Sequence, residues 1–459
     1  MLAFLATACS GGGTPAETVP SAPVRTIVPG TPPPSPTPPP ATDPDWSITM
    51  ENEGEARWRD ARLFAAGGRF MVASGNQLRA ITGKGKQAWK RTFRSDVEVA
   101  VADGVVIVTH RKGGAATWPP PNLVLGLDPA NGRTLWKATS SPYESVVGEM
   151  VYTPVCRGEQ TERHDDCRLS ARDPRTGQVR WTILAEHVAT VTGTAGGVLT
   201  MTTRPKGYRG KHWLMTLDAA SGGRLGVRVE KERFGGELLY PRGQQRVSGP
   251  TYLTGGLLIM SSKEDQVKTF KEMCRLDLVA LNARTGAKKW KGRIRLADAE
   301  RDRQCRYGLP DVSADGGGLF GVDERGHPRV VDLANGRARW TGGKPGTILT
   351  GDARTVLVKE LVDEKETLTL YDISSGKARW SDGEPFKVWG RLSTVLLGDR
   401  LVVRPADCYR DNCYVRVYDL AKGPLDTAPA GEYAGAGDGW VATRETSDTT
   451  TTFSLSRTG

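Results

Sequence analysis

Apolar residues in this chain alternate with polar ones over short stretches. LVLGLD (123–128), WLMTLD (213–218), DLVALN (277–282), TLTLYD (367–372) and VRVYD (415–419) each carry apolar side chains at every second position. A period of two lines one face of a β-strand and does not fit the 3.6-residue period of a helix. A second pattern sets two such runs around a Gly-rich turn, as in EVAVADGVVIVTH (98–110), VSADGGGLFGVD (312–323) and LSTVLLGDRLVVR (392–404); these read as hairpins. No segment has the pattern of an amphipathic helix of three turns or more. LVDEKETL (361–368) is charged enough to suggest one, but TLTLYD follows at once, so a solvated hairpin loop is expected there.

The strands belong to a repeat. DPANGRTLW (Asp128, Gly132, Trp136), DPRTGQVRW (Asp173, Gly177, Trp181), NARTGAKKW (Asn282, Gly286, Trp290), DLANGRARW (Asp332, Gly336, Trp340) and DISSGKARW (Asp372, Gly376, Trp380) share one spacing: Asp or Asn, Gly four later, Trp four after that. Three weaker copies are ITGKGKQAW ending at Trp89, DAASGGRLG from Asp218 and DLAKGPLD from Asp419. The period is about forty to fifty residues, the range of radially repeated strand units. In each copy the Asp or Asn side chain suits a turn and the Gly accepts positive φ, while a further strand carries the Trp. Four short strands per unit, with a large flat side chain filling the gap between neighbours, is the construction of a β-propeller.

An alternating strand followed by D-x-x-T/N/S-G-x-x-x-W resembles the tryptophan-docking repeat of PQQ-like quinoprotein propellers over roughly residues 60–430. The resemblance implies an all-β propeller of four-stranded blades with eight as the working number, although division of the 415 residues from 45 onward leaves nine open. The last stretch, 431–457, has strands but no Asp-Gly-Trp element, whereas DPDWSITM (43–50) has a Trp strand with nothing before it. The strand of Trp46 is therefore expected to complete the last blade and close the ring, removing the open sheet edges.

Three segments are expected: 1–13 as a signal remnant with an acylation site, 14–44 as a tether and 45–459 as the propeller. MLAFLATACSGGG resembles the end of a bacterial lipoprotein signal, with Cys9 as the lipidated residue. Only eight residues precede Cys9, none of them basic, and Ala6 stands where Leu is usual, so a start upstream of Met1 is expected. Residues 14–44 hold twelve of the 29 prolines and only three charges, Glu17, Arg25 and Asp43. Such a segment has too little apolar surface to bury and reaches about 100 Å at ~3.1 Å per residue.

With Cys9 set aside, the odd count of seven cysteines becomes three pairs. Export favours disulfides, and proximity suggests Cys156–Cys167, Cys274–Cys305 and Cys408–Cys413 among the fifteen possible connectivities. A metal site using His164 between Cys156 and Cys167 is the competing reading, without CxxC or HxH spacing to support it. The formal charge of +11 is diffuse and does not argue for nucleic acid. Lys206, Arg209 and Lys211 in RPKGYRGKHW are the basic positions to test for anionic polymer. No stretch reaches the ~18 apolar residues of a spanning helix.

Catalytic signatures are absent. No G-x-S-x-G or G-x-x-x-x-G-K-[S/T] occurs, and the repeated Asp residues are explained by turns. The resemblance to quinoproteins raises a PQQ-dependent dehydrogenase with calcium, but the adjacent cysteine pair common in those enzymes is missing and 415 residues leave little room for their large insertions. The expectation is therefore no enzyme and no cofactor. It is a monomeric, membrane-anchored, extracytoplasmic binding or scaffolding lipoprotein whose partner is an envelope protein or a cell-surface polymer, with a ligand-binding sensor subunit as the alternative. Gram-negative outer-membrane-assembly lipoproteins are a resembling case; the Arg-, Ala- and Gly-rich composition looks more like a high-GC Gram-positive source.

Overall fold

The computed structural model describes residues 45–457 except 52–60, 112–120, 142–144, 158–165, 186–188, 204–211, 232–250, 263–274, 296–311, 363–364, 384–391, 406–414, 426–431, 438 and 448. Among the described residues every element is a strand, and all strand pairs are antiparallel, as a chain of alternating runs and short turns dictates. The unit at 97–140 shows the plan. Val97–Ala102, Val105–Arg111, Asn122–Leu127 and Thr134–Ser140 pair in chain order. The first turn is Asp103-Gly104 with φ of 46° and 73°. Two consecutive positive φ values match the right-handed twist of a two-residue hairpin, which is why Asp-Gly stands there.

Among the described residues, seven sheets of four strands and one of seven result. The seven-stranded sheet contains two copies of the repeat, with Trp290 in Lys288–Arg295 and Trp340 in Ala338–Thr341, joined by the single pair Arg295–Val322. Counted by sheets the number is eight; counted by repeat units, with the closing sheet included and the two joined copies taken apart, it is nine. The β-propeller expectation holds. One local expectation is corrected: LVDEKETL is not mainly loop. Its ends continue Thr355–Val362 and Lys365–Asp372, leaving only 363–364 between them. Lys359 and Glu366 form an ion pair at 3.0 Å across the two strands, so the charges decorate the hairpin.

The core is divided among the gaps between neighbouring sheets. Met71, Leu78, Val106 and Leu127, all buried, fill one such gap, and Leu169, Leu199, Met201 and Leu217 another. Closure follows the expected route. Asp45–Glu51 runs antiparallel to Thr450–Arg457 from Asp45↔Ser456 to Glu51↔Thr450, completing the sheet formed by Glu432–Gly437 and Trp440–Thr446. Trp46 packs 5.4 Å from Phe70, which in turn meets Trp440 edge-on at 5.2 Å, so the last sheet is sewn to the first.

Candidate functional site

The repeat tryptophans lie at joints between neighbouring units. The indole Nε1 of Trp89 donates to the carbonyl of Pro129 at 2.9 Å, Trp136 to Pro174 at 2.6 Å, Trp181 to Ala219 at 3.0 Å, Trp290 to Leu333 at 3.0 Å and Trp380 to Leu420 at 3.3 Å. Each acceptor directly follows the Asp of the next unit, including Asp218 and Asp419 of the weak copies. The ring then lies against that unit's Gly. A methyl on Gly132 would meet Trp89 at 2.8 Å, one on Gly177 would meet Trp136 at 2.5 Å and one on Gly336 would meet Trp290 at 2.7 Å. Gly177 also sits at φ +70°, so it is required twice, by backbone conformation and by the close ring.

Other features of the joints were not read from the repeat. In four copies the residue two before the first turn residue is small and pairs across the strands with the Trp, Ala80 with Trp89, Gly126 with Trp136, Ala171 with Trp181 and Ala280 with Trp290, whereas Val330 and Leu370 stand at that place opposite Trp340 and Trp380. A small side chain leaves space for the indole in those four copies. Trp340 departs from the rule by packing 5.4 Å from the Tyr371 ring, while Gly376 has open space around its Cα. In the copy at 218, Gly226 replaces the Trp. Its N–H donates to the Arg284 carbonyl at 2.6 Å, and the backbones of Gly226 and Gly286 approach so closely that a methyl on Gly286 would lie 2.6 Å from the Gly226 oxygen. A lost indole is thus replaced by direct backbone contact.

The repeated carboxylates are committed to their turns. Asp128 accepts from the Ala130 N–H at 2.8 Å and the Asn131 amide at 2.8 Å; Asp173 accepts from the N–H groups of Arg175 and Thr176, both at 3.0 Å; Asp372 accepts from those of Ser374 and Ser375. Asn282 does the same with Arg284 and Thr285, at 3.0 and 2.9 Å, so the turn uses the oxygen and not the charge. The Arg180 guanidinium, aided by the Thr176 N–H, holds the Asp173 carboxyl at about 2, and the Arg379 guanidinium holds Asp372 lower still. A depressed folded pKa contributes stability above the unfolded value near ~3.9 and loses it as pH falls through the folded one. The stability difference between wild type and Asp173→Asn is therefore expected to be full above about pH 5 and gone near pH 2. Urea midpoints across that range measure it, and an equal difference at pH 2 and 6 would contradict the assignment.

Cys156 and Cys167 stand opposite one another in Met150–Arg157 and Asp166–Arg172 and form a disulfide. The expected first pair is present, with the two sulfurs joined to each other. Cys9, Cys274, Cys305, Cys408, Cys413 and His164 lie outside the described residues, as do Lys206, Arg209 and Lys211.

A family described as outer membrane protein assembly factor BamB matches residues 45–291 and 275–423. The chain belongs to this BamB family. Similar solved structures include BamB from Moraxella catarrhalis, with 16% identity, 78% of this chain and 95% of that one covered, and a TM-score of 0.41. Quinohemoprotein alcohol dehydrogenase from Comamonas testosteroni shows 13% identity, 90% and 76% coverage and a TM-score of 0.41. A europium-containing methanol dehydrogenase shows 14% identity, 89% and 93% coverage and a TM-score of 0.37. These likenesses concern the fold alone. No curated protein matches the chain.

The quinoprotein-like repeat implies PQQ with calcium, which would need convergent carboxylates. Among the described residues no group of three or more His, Cys, Asp or Glu side chains is placed to hold a metal ion. Two carboxylates elsewhere are tied to hydroxyls and, at Asp382, to a guanidinium group. Glu360, 5% exposed, accepts from the Tyr371 hydroxyl at 2.7 Å and from Thr369 at 3.2 Å. Asp382 accepts from Tyr418 at 2.8 Å and Arg416 at 2.7 Å. Burial first, and the adjoining carboxylate second, push both tyrosine hydroxyls upward, so they act as hydrogen-bond donors and not as bases. These carboxylates are occupied by partners within the protein.

Proposed function

We propose that this chain is a non-catalytic, lipid-anchored envelope protein whose propeller binds or scaffolds a partner protein. The observation that carries the reading is membership of the assembly-factor family over residues 45–423. The commitment of its repeated carboxylates to turns supports it, since the repeat then supplies rigidity and no chemistry. In this reading Cys9 carries the lipid, residues 14–44 form the tether, the propeller stands on the extracytoplasmic side of the membrane as a monomer, and no cofactor is involved.

The direction of the first strand adds an orientation. Asp45 pairs with Ser456 at the end of its neighbour, on the rim that carries the Asp-Gly docking turns. The tether joins that rim, so the opposite rim is the one held away from the anchor. The test is chemical crosslinking in membranes followed by capture of the full chain, with palmitate labelling in parallel. One reproducible partner, and labelling abolished by Cys9→Ser, are expected. Alcohol-dependent dye reduction after addition of PQQ and calcium would overturn the reading, as would full retention of label in Cys9→Ser.

A further inference from the structure

A cavity of about 120 Å³ lies between two neighbouring sheets, bounded by Val97–Ala102 and Val105–Arg111 of one and by Ser145–Val147 and Met150–Arg157 of the next. At ~30 Å³ per water this is space for about four waters, or a chain of similar atom count. About half of its wall is apolar, where Ile107, Val124, Val146 and Val151 pack together. Three side chains bring oxygen: Glu98, Thr109 and Ser145. No basic residue lines it.

Each polar group has a distinct place. Glu98 and Thr109 are direct cross-strand partners, so the carboxylate and one hydroxyl share the same row of the same sheet face. Glu98 is exposed, while Thr109 is buried. The Ser145 hydroxyl is contributed from the opposite sheet; its Oγ is buried and has no hydrogen-bond partner. A buried polar atom without a partner is costly, and native structures resolve most such atoms. Neither the docking repeat nor the turn chemistry uses any of these three groups.

We propose that this cavity binds a primary alkylammonium group, the aliphatic stem lying along the valine and isoleucine wall and the charge meeting Glu98. The assignment rests on chemical complementarity. An aliphatic wall accepts methylenes, an uncompensated carboxylate selects a cation, and an ammonium offers three N–H donors, matching in number one carboxylate and two hydroxyls. The planar guanidinium of arginine is a poorer match, because its five donors in a fixed fork call for bidentate acceptors and a wider slot. The two sources of this chemistry are a lysine side chain of a bound protein and a free short-chain amine. The proposal stands apart from the scaffolding reading, since the cavity belongs to this chain whether or not Cys9 is acylated.

The test follows valine methyl resonances of the full chain during titration with n-butylammonium, n-butanol and butyrate. Saturable shifts at Val146 and Val151 with n-butylammonium are expected, with weaker binding of n-butanol and none of butyrate. Glu98→Gln is expected to weaken n-butylammonium about tenfold, the worth of one charge-assisted hydrogen bond. Ser145→Ala, a small change in a site that already lacks a partner, provides a folded second variant and should also weaken it. Nα-acetyl-lysine N-methylamide separates the sources: binding with the same Glu98 dependence assigns a protein lysine, and binding of n-butylammonium alone assigns a free amine. No saturable shift, equal binding of butyrate, or unchanged affinity in Glu98→Gln would overturn the proposal.

Discussion

Trp136→Ala will lower the unfolding free energy by about 3–5 kcal/mol, the range for deleting a large buried aromatic side chain. Trp136 is 8% exposed and is held on two sides. A methyl on its own cross-strand partner Gly126 would lie 2.3 Å from the indole nitrogen, and one on Gly177 of the next unit 2.5 Å from the ring. Glycine on both sides leaves nothing that can lean into the vacated space, so the cavity stays open. The indole's 2.6 Å hydrogen bond to the Pro174 carbonyl is lost as well. Gly177→Ala attacks the same joint from the other side, through its positive φ and the ring contact, whereas Gly376→Ala meets open space and incurs the backbone term alone. Urea unfolding of the three variants measures this. A Trp136→Ala loss below about 1 kcal/mol, the scale of an ordinary substitution, would show that the docking contact is not what joins the sheets.

Deleting residues 45–51 should lower the melting temperature by about 10 °C or more. The strand buries Met50 completely and packs Trp46 and Ile48 against the first sheet, and each such side chain is worth about 1.5–3 kcal/mol. At roughly 2–4 °C per kcal/mol for a mid-sized domain, with smaller shifts in a larger one, that loss reaches this size. The deletion also leaves Thr450–Arg457 as a bare edge, able to pair with another chain. Calorimetry with light scattering should show an early transition and association, both reversed by a peptide of sequence DWSITME. An unchanged melting temperature would mean that the ring is held shut without this strand.

Much of the fold was legible because its determinants are local. A period of two needs only neighbouring residues, and the Asp-x-x-x-Gly turn needs only its own five. The closing role of Trp46 was legible from what each end lacked: a Trp strand without a unit at one end, strands without a Trp at the other. The Cys156–Cys167 pair was readable from proximity, and the register places the two residues opposite one another. The stretch at 361–368 shows where local reading failed, since a run of charge suggested a loop although Glu366 stands in a strand and pairs with Lys359 on the neighbouring one.

The sequence by itself determined the unit: four strands, a turn that uses Asp or Asn for its oxygen and Gly for its backbone, and a Trp delivered to the unit's edge. Only the tertiary structure decided what that edge meets. The indole's acceptor is a carbonyl 38 to 43 residues away, Gly226 replaces an indole by approaching another backbone, and Trp340 turns to Tyr371. The Glu98, Thr109 and Ser145 cavity is likewise invisible in any one unit, because it is the space left between two. Periodicity and turn propensity act over a few residues and are written in the chain, whereas complementarity between sheets depends on surfaces that exist only once both have folded.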